Sequence, residues 1–250
     1  MKSTLFWLHH FDENRKQQRV DWSLTSNITN LEKMEIIPSL KAWQLGETSE
    51  GKQLLEITLR YSEKSHDDHL PDVMRFFIKE EQKHGENLGR YLEIIGEKRI
   101  SYNWGDAIFR QVRHFNTSME MWTIAVITIE CAAQVYYQAI KDATHCPLLR
   151  SICTDILIDE AYHIDFQRER YIKIRQSKSR FMQLLGDKLF RIFYFSTALV
   201  IWIEHKNAFR AGGVHYDAFM KKMECKYVKI VHALALNQPV KCDEEMVFSK

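Results

Sequence analysis

The stretch FFIKEEQKHGENLG, residues 76–89, sets Glu81 and His84 three apart in an amphipathic pattern, and ILIDEAYHIDF, residues 156–166, repeats the spacing with Glu160 and His163. Side chains three apart share a helix face, so each segment offers one carboxylate and one imidazole on the same side. A single Glu-x-x-His arises often in charged helices and means little. Two of them, 79 residues apart, each in the second helix of a helical hairpin, make the chain a weak tandem repeat. The question is then whether the first helix of each hairpin supplies a partner.

The hairpins follow from the punctuation. Apolar residues at helical spacing run from about Pro38 to about Lys64, SHDDHLP (65–71) turns the chain, and Pro71 starts a second helix that stops at Gly96. A strongly apolar helix over about 118–143 is broken by ATHCP (143–147), and Pro147 opens a helix that continues to about Gln176. One further long helix ends at Gly212 and Gly213, and a short one from Tyr216 to about Leu236 precedes a polar tail. Only 9 Gly and 4 Pro in 250 residues agree with an all-α chain of long helices. No low-complexity linker divides it, so a single domain over 1–250 is expected, with a core bundle at about 38–176 and a helical extension at about 177–250.

Composition narrows the function classes. With 45% hydrophobic residues the chain can bury its own core, and a formal net charge of +2 gives no bulk attraction to nucleic acid. The basic run KIRQSKSR (173–180) lacks interleaved aromatics and reads as a solvated helix end. Five scattered cysteines without a C-x-x-C suggest neither a disulfide framework nor a thiolate zinc site, which fits a cytoplasmic protein. The N-terminal apolar run is interrupted by His9 and His10 and reads as mature structure, not a signal peptide. In FRIFYFSTALVIWIEHK (190–206) the uncharged stretch from Ile192 to Ile203 is shorter than the roughly 18–20 residues of a membrane span. A buried helix is expected there, and no membrane partner.

Both first helices carry candidate partners. Glu130 lies inside AVITIECAAQVYY (125–137), where an unpaired carboxylate is costly and a metal is one remedy. Glu47 and Glu50 both fall on one apolar stripe with Trp43, Leu54, Ile57 and Tyr61. In an antiparallel hairpin, residues equidistant from the turn lie at one height. Glu130 and Glu160 are symmetric about residue 145; Glu50 and Glu81 match that symmetry better than Glu47 and Glu81, and their separation of 31 is close to the 30 of the other pair. Glu50 is therefore the expected ligand, with Glu47 one turn away as outer support or a movable ligand.

In this order of a lone Glu, a Glu-x-x-His pair, a lone Glu and a second pair, the chain resembles the ferritin-like di-iron carboxylate superfamily over roughly residues 38–176. The resemblance implies a four-helix bundle that binds two metals through Glu50, Glu81, His84, Glu130, Glu160 and His163, with the Glu of each pair bridging and the lone ones terminal. Mixed carboxylate and imidazole ligands suit iron first, and manganese or a mixed Mn/Fe pair second. Each ligand His needs an acceptor for its other ring nitrogen; related bundles take it from the opposite helix, which assigns Asp159 to His84 and Glu80 to His163. The site type serves iron storage, peroxide removal and oxygen-dependent oxidation alike.

The residues outside the bundle favour an oxygenase or oxidase using dioxygen and a small, hydrophobic or amine-bearing molecule. Trp122, Tyr136, Tyr137, Phe190, Phe193, Tyr194, Phe195 and Trp202 are candidates to wall its cavity. Glu204 and His205 are candidates for an extra ligand or a proton donor, or mark the helix surfacing. Tyr162 is expected off the ligand face. No flavin, nicotinamide or rubredoxin-like fingerprint is present, so electrons are expected from a separate ferredoxin or reductase. An enzyme of this kind is expected as a monomer or homodimer; the alternatives are a ferritin-like store or peroxide scavenger, built as a many-subunit cage, and a tRNA-modifying hydroxylase.

Overall fold

The computed structural model describes residues 1–115 and 117–232. Among them are nine helices and no strand: α1 (Thr4–Asn14), α2 (Asn30–Glu47), α3 (Lys52–Ser65), α4 (Leu70–Ile94), α5 (Trp104–Phe115), α6 (Met119–Ala143), α7 (Pro147–Gln176), α8 (Arg180–Ala211) and α9 (Tyr216–His232). The expected end of the last helix at Leu236, the polar tail and Cys242 lie outside the described residues. Cys131, Cys146 and Cys153 are buried free thiols.

Pro71 in the first turn of α4, the left-handed Gly96 (φ 77°) beyond its end, and Pro147 at the head of α7 act as the sequence suggests. The first hairpin differs. Its leading helix begins well before Pro38, because Thr29 and Glu32 form a reciprocal capping box, and it stops at Glu47. The Thr48 hydroxyl donates to the Leu45 carbonyl (2.7 Å), and Gly51 takes φ 65° before α3 starts. What reads as one helix from 38 to 64 is two, and the break falls between Glu47 and Glu50.

Helices α2, α4, α7 and α6 close a four-helix ring, with α3 covering α4 and α6. α2 and α4 approach closely at Gly85, where a Cβ would sit 3.1 Å from that of Glu47. α8 lies along α6 and α2, and α9 packs on α8 and α6. The larger apolar core joins Leu40, Tyr91, Tyr136, Ile152, Phe190 and Phe209; the smaller joins Trp7, Phe11, Ile57, Phe77, Trp122 and Phe166. α1, unassigned from sequence, puts the rings of Trp7 and Phe11 edge-on against Phe166 of α7.

α6 is long and apolar enough to cross a membrane, but 72% of its apolar window is buried in this protein, as in a core helix. α8 is buried along one face, as expected of a core helix, and not the other: Phe190, Tyr194 and Trp202 face the core, while Ile192, Leu199 and Ile203 are exposed.

Candidate metal centre

Glu47 of α2, Glu81 and His84 of α4, Glu130 of α6, and Glu160 and His163 of α7 converge inside the ring. The potential ligand atoms of Glu81, Glu130, Glu160 and His163 lie within 4.8 Å of one another, and so do those of Glu47, Glu81 and His84. Glu81 belongs to both groups. Glu160 also spans them, with its two oxygens each 3.8 Å from an imidazole Nδ1, of His84 on one side and His163 on the other. Two carboxylates between two terminal sets is the arrangement a dinuclear centre requires.

Glu50 is not part of it. Its side chain is 71% exposed and pairs with Lys52 across 2.5 Å, because the break after Glu47 carries it out of the stripe. Glu47, expected as outer support, takes the inward position: it is buried and accepts a hydrogen bond from the Tyr137 hydroxyl (2.7 Å).

The histidine supports match the sequence expectation. His84 Nε2 lies 3.0 Å from Asp159, and His163 Nε2 lies 2.9 Å from Glu80, both acceptors fully buried. An Nε2–H donated to a carboxylate leaves Nδ1 as a lone pair, and both Nδ1 atoms face the carboxylate cage.

Residues that sequence reading missed complete this support. The Asn14 amide, at the end of α1, donates to both Glu80 and Asp159 at 2.8 Å. Arg19 pairs with Asp159 and, at 2.6 Å, with Asp155, while Lys83 reaches Asp159 at 2.9 Å. Asp155 stands one turn before Asp159 on the same face and Lys83 stands inside the first motif, so both were within reach of periodicity. Nothing local announces Asn14.

Electrostatics show what the cage lacks. Burial, then the charge of Glu81, pushes the Glu47 carboxyl well above its usual range, and burial followed by Glu130 does the same to Glu160. Burial also acts upward on Glu130, but its close neighbours Glu160 and His163 outweigh it and hold the group low. Burial opposes a charge on His163, yet Glu81, Glu130 and Glu80 raise it well above the ordinary imidazole. For Asp159, burial is overcome by the hydrogen bond from His84 and the charge of Lys83, which hold it ionised. Three buried carboxylates and the partly exposed Glu81 therefore press on one another.

Both Glu160 oxygens, one Glu81 oxygen and both Nδ1 atoms are buried without a well-formed hydrogen bond, although His163 Nδ1 and that Glu81 oxygen stand 2.9 Å apart. Such orphans are costly in a protein interior. Two divalent cations would satisfy them and balance four carboxylates, so the residues fit a metal pair.

A cavity of about 180 Å³ opens beside the cage, with Glu47, Glu81 and Glu130 in its wall and Trp43, Trp122 and Ile129 among its apolar lining. Of the expected aromatic wall, Trp122 takes part. Tyr136 and Tyr137 pack beside Trp43 in the core, with ring centroids 4.6 and 5.7 Å from it. Phe190, Tyr194 and Phe195 gather instead around Tyr227. α8 contributes Val200, Ile201, Glu204 and His205. Glu204 and His205 stand outside both ligand groups, and their side chains are 10% and 7% exposed, so these two do not mark the exposed face of the helix. Tyr162 points off the ligand face and packs on His10, ring centroids 4.1 Å apart. Three of the four cations of the basic run are paired within the chain: Lys173 with Asp67, Arg175 with Asp187 and Lys178 with Glu120.

No protein-family profile and no curated protein matches the chain in sequence. Solved structures do match in fold. An R2-like ligand-binding oxidase without metal cofactor superposes with a TM-score of 0.64 at 18% identity, over 90% of this chain and 94% of that one. A mutant of such an oxidase with an anaerobically reconstituted Mn/Fe cofactor gives 0.64 at 16% identity, over 90% and 91%. A second mutant, reconstituted aerobically, gives 0.63 at 14%, over 90% and 91%. The chain thus has the ferritin-like helical fold, with a carboxylate and histidine cluster able to hold a metal pair at its centre.

Proposed function

We propose that this protein is an oxygen-activating oxidoreductase with a dinuclear iron or mixed Mn/Fe centre, held by Glu47, Glu81, His84, Glu130, Glu160 and His163. Its substrate is a small organic molecule, hydrophobic or amine-bearing. The observation that carries this reading is the pairing of six convergent ligands, their orphaned atoms aimed at one space, with an apolar cavity that shares three of those carboxylates as its wall. Solved structures of similar fold include R2-like ligand-binding oxidases reconstituted with Mn/Fe, which supports the same class of cofactor.

When bound, such a pair supplies the electrons and Lewis acidity for reducing dioxygen. The chain's own residues do the rest. Asp159 and Glu80 fix the two imidazole rings and raise their basicity as ligands. The Tyr137 hydroxyl holds one Glu47 oxygen and fixes that carboxylate's orientation. Trp43, Trp122 and Ile129 exclude water from the cavity side and give an apolar substrate a surface to pack on. Electrons come from a separate ferredoxin or reductase.

The test is oxygen uptake by the iron-loaded protein. An enzyme consumes oxygen catalytically once a reductant and an accepted substrate are present, and light scattering shows a monomer or dimer. A store takes up oxygen only in proportion to added iron and accumulates far more than two irons per chain in a large cage; that outcome would overturn the proposal.

A further inference from the structure

The cavity wall carries a further carboxylate that belongs to neither ligand group. Glu204 projects from α8 into it with a side chain only 10% exposed. The Asn103 side chain and the Gly105 backbone N–H donate to this carboxylate. The Gly105 backbone lies directly against the carboxylate: an added Cβ there would meet Glu204 Oε2 and displace it. The other oxygen, Oε1, is buried and accepts no hydrogen bond. His205 Nε2 lies 3.5 Å from Oε2, but burial pushes that imidazole down to about 3, so at neutral pH it brings no positive charge. Asp106, also in the wall, adds negative charge and is paired with Arg110 (2.5 Å). Among the described lining residues there is no Lys or Arg.

An apolar cavity with an incompletely satisfied carboxylate and no cation is poorly matched to an anionic ligand and well matched to a cationic one. A neutral hydroxyl could fill the vacant acceptor on Oε1, but only an ammonium group also compensates the charge. We infer that Glu204 anchors the ammonium group of a primary amine with an apolar alkyl or aryl body, which lies against Trp43, Trp122 and Ile129 on the metal side of the cavity. As an assignment of the oxidised substrate this rests on the oxidoreductase reading; as a binding site it stands on the cavity alone. Bound metals also sharpen the selection, because they neutralise Glu47, Glu81 and Glu130 and leave Glu204 as the cavity's uncompensated anion.

The experiment is isothermal titration calorimetry of the metal-loaded protein at pH 7 with hexylamine, hexanol and hexanoate, three ligands of one body and different heads. It is repeated on Glu204→Gln, an isosteric change, with metal per chain counted on the same samples. Hexylamine is expected to bind at least tenfold more tightly than hexanol, hexanoate to give no saturable heat, and Glu204→Gln to erase the preference for the amine while keeping the metal pair. Hexanoate binding as tightly as hexylamine, or an amine affinity unchanged in Glu204→Gln, would overturn the inference. The comparison of three heads on the native chain decides the matter if the variant does not fold. An amine preference that depends on Glu204 in a chain without a metal pair would sink the oxidoreductase reading and leave the amine site standing.

Discussion

Replacing Asn14 with Leu removes one side-chain amide that serves both histidine supports and keeps the branched outline of the side chain. Asp159 still receives His84, Lys83 and Arg19, whereas Glu80 keeps the hydrogen bond of His163. A hydrogen bond to a buried charged group contributes about 1.5–3 kcal/mol, and the loss falls mainly on Glu80, which is fully buried. Weakened support of a ligand histidine costs roughly ten- to a hundredfold in metal affinity. The position ligated by His163 should therefore weaken by that factor, and the position ligated by His84 by less than about threefold. Anaerobic competition with a chromogenic chelator resolves the two binding steps. Two unchanged steps, or weakening confined to the His84 position, would refute this account of how the outer residues work.

The break after α2 makes its own prediction: Glu47→Ala should lose one metal per chain, while Glu50→Ala should keep both and change stability by less than about 0.5 kcal/mol, as exposed substitutions do; elemental analysis of the two variants decides between them. His205 gives a pH effect. Its folded-state value is depressed by burial, so the stability it contributes is present above the unfolded value of 6.5 and is lost as the pH falls toward about 3. Between pH 6.5 and 4.5 that loss approaches about 2–3 kcal/mol at 1.36 kcal/mol per pH unit. Urea titrations should show His205→Gln losing correspondingly less than the native chain over that interval, and parallel acid limbs would contradict it. Gly212→Ala should destabilise by about 1–3 kcal/mol, since its Cβ would meet the backbone carbonyl of Ala139 on α6 and neither backbone can yield cheaply. An unchanged melting temperature would show that α8 and α6 are not held as described.

Much of the architecture was readable because the helices carry their own boundaries. Pro71, Pro147 and the glycines at 96, 212 and 213 are local signals whose effect does not depend on the rest of the fold. The two Glu-x-x-His pairs and Glu130 were readable because helical periodicity fixes which residues share a face, and the crossed support by Asp159 and Glu80 followed from their places in the motifs. Glu50 was misread because equal distance from a turn presumes unbroken helices. The segment GETSEG, with glycines at 46 and 51 around Thr48 and Ser49, held the signal of a break. Periodicity across it counted residues that do not belong to one helix.

Asn14 and Arg19 were beyond reach for a different reason. They meet Glu80 and Asp159 across separations of 66 and 140 residues, and only the docking of α1 on α4 brings them there. α8 was half legible: its apolar content predicted a helix against the core, but not which of its residues face the cavity. The Phe190 and Tyr194 end packs away from the carboxylate and histidine cluster, and the polar pair Glu204 and His205 sits in the cavity wall.

The decisive measurement is the metal content of the protein purified from cells replete in iron and manganese, read by elemental analysis per chain beside the Glu130→Ala and His163→Ala variants. Two metals per chain, iron or iron with manganese, that fall below two in both variants while the helical circular dichroism persists, is the predicted result. No metal, a single zinc, or two metals retained in both variants would mean that the four carboxylates and two imidazoles at the centre of the bundle are not a dinuclear site.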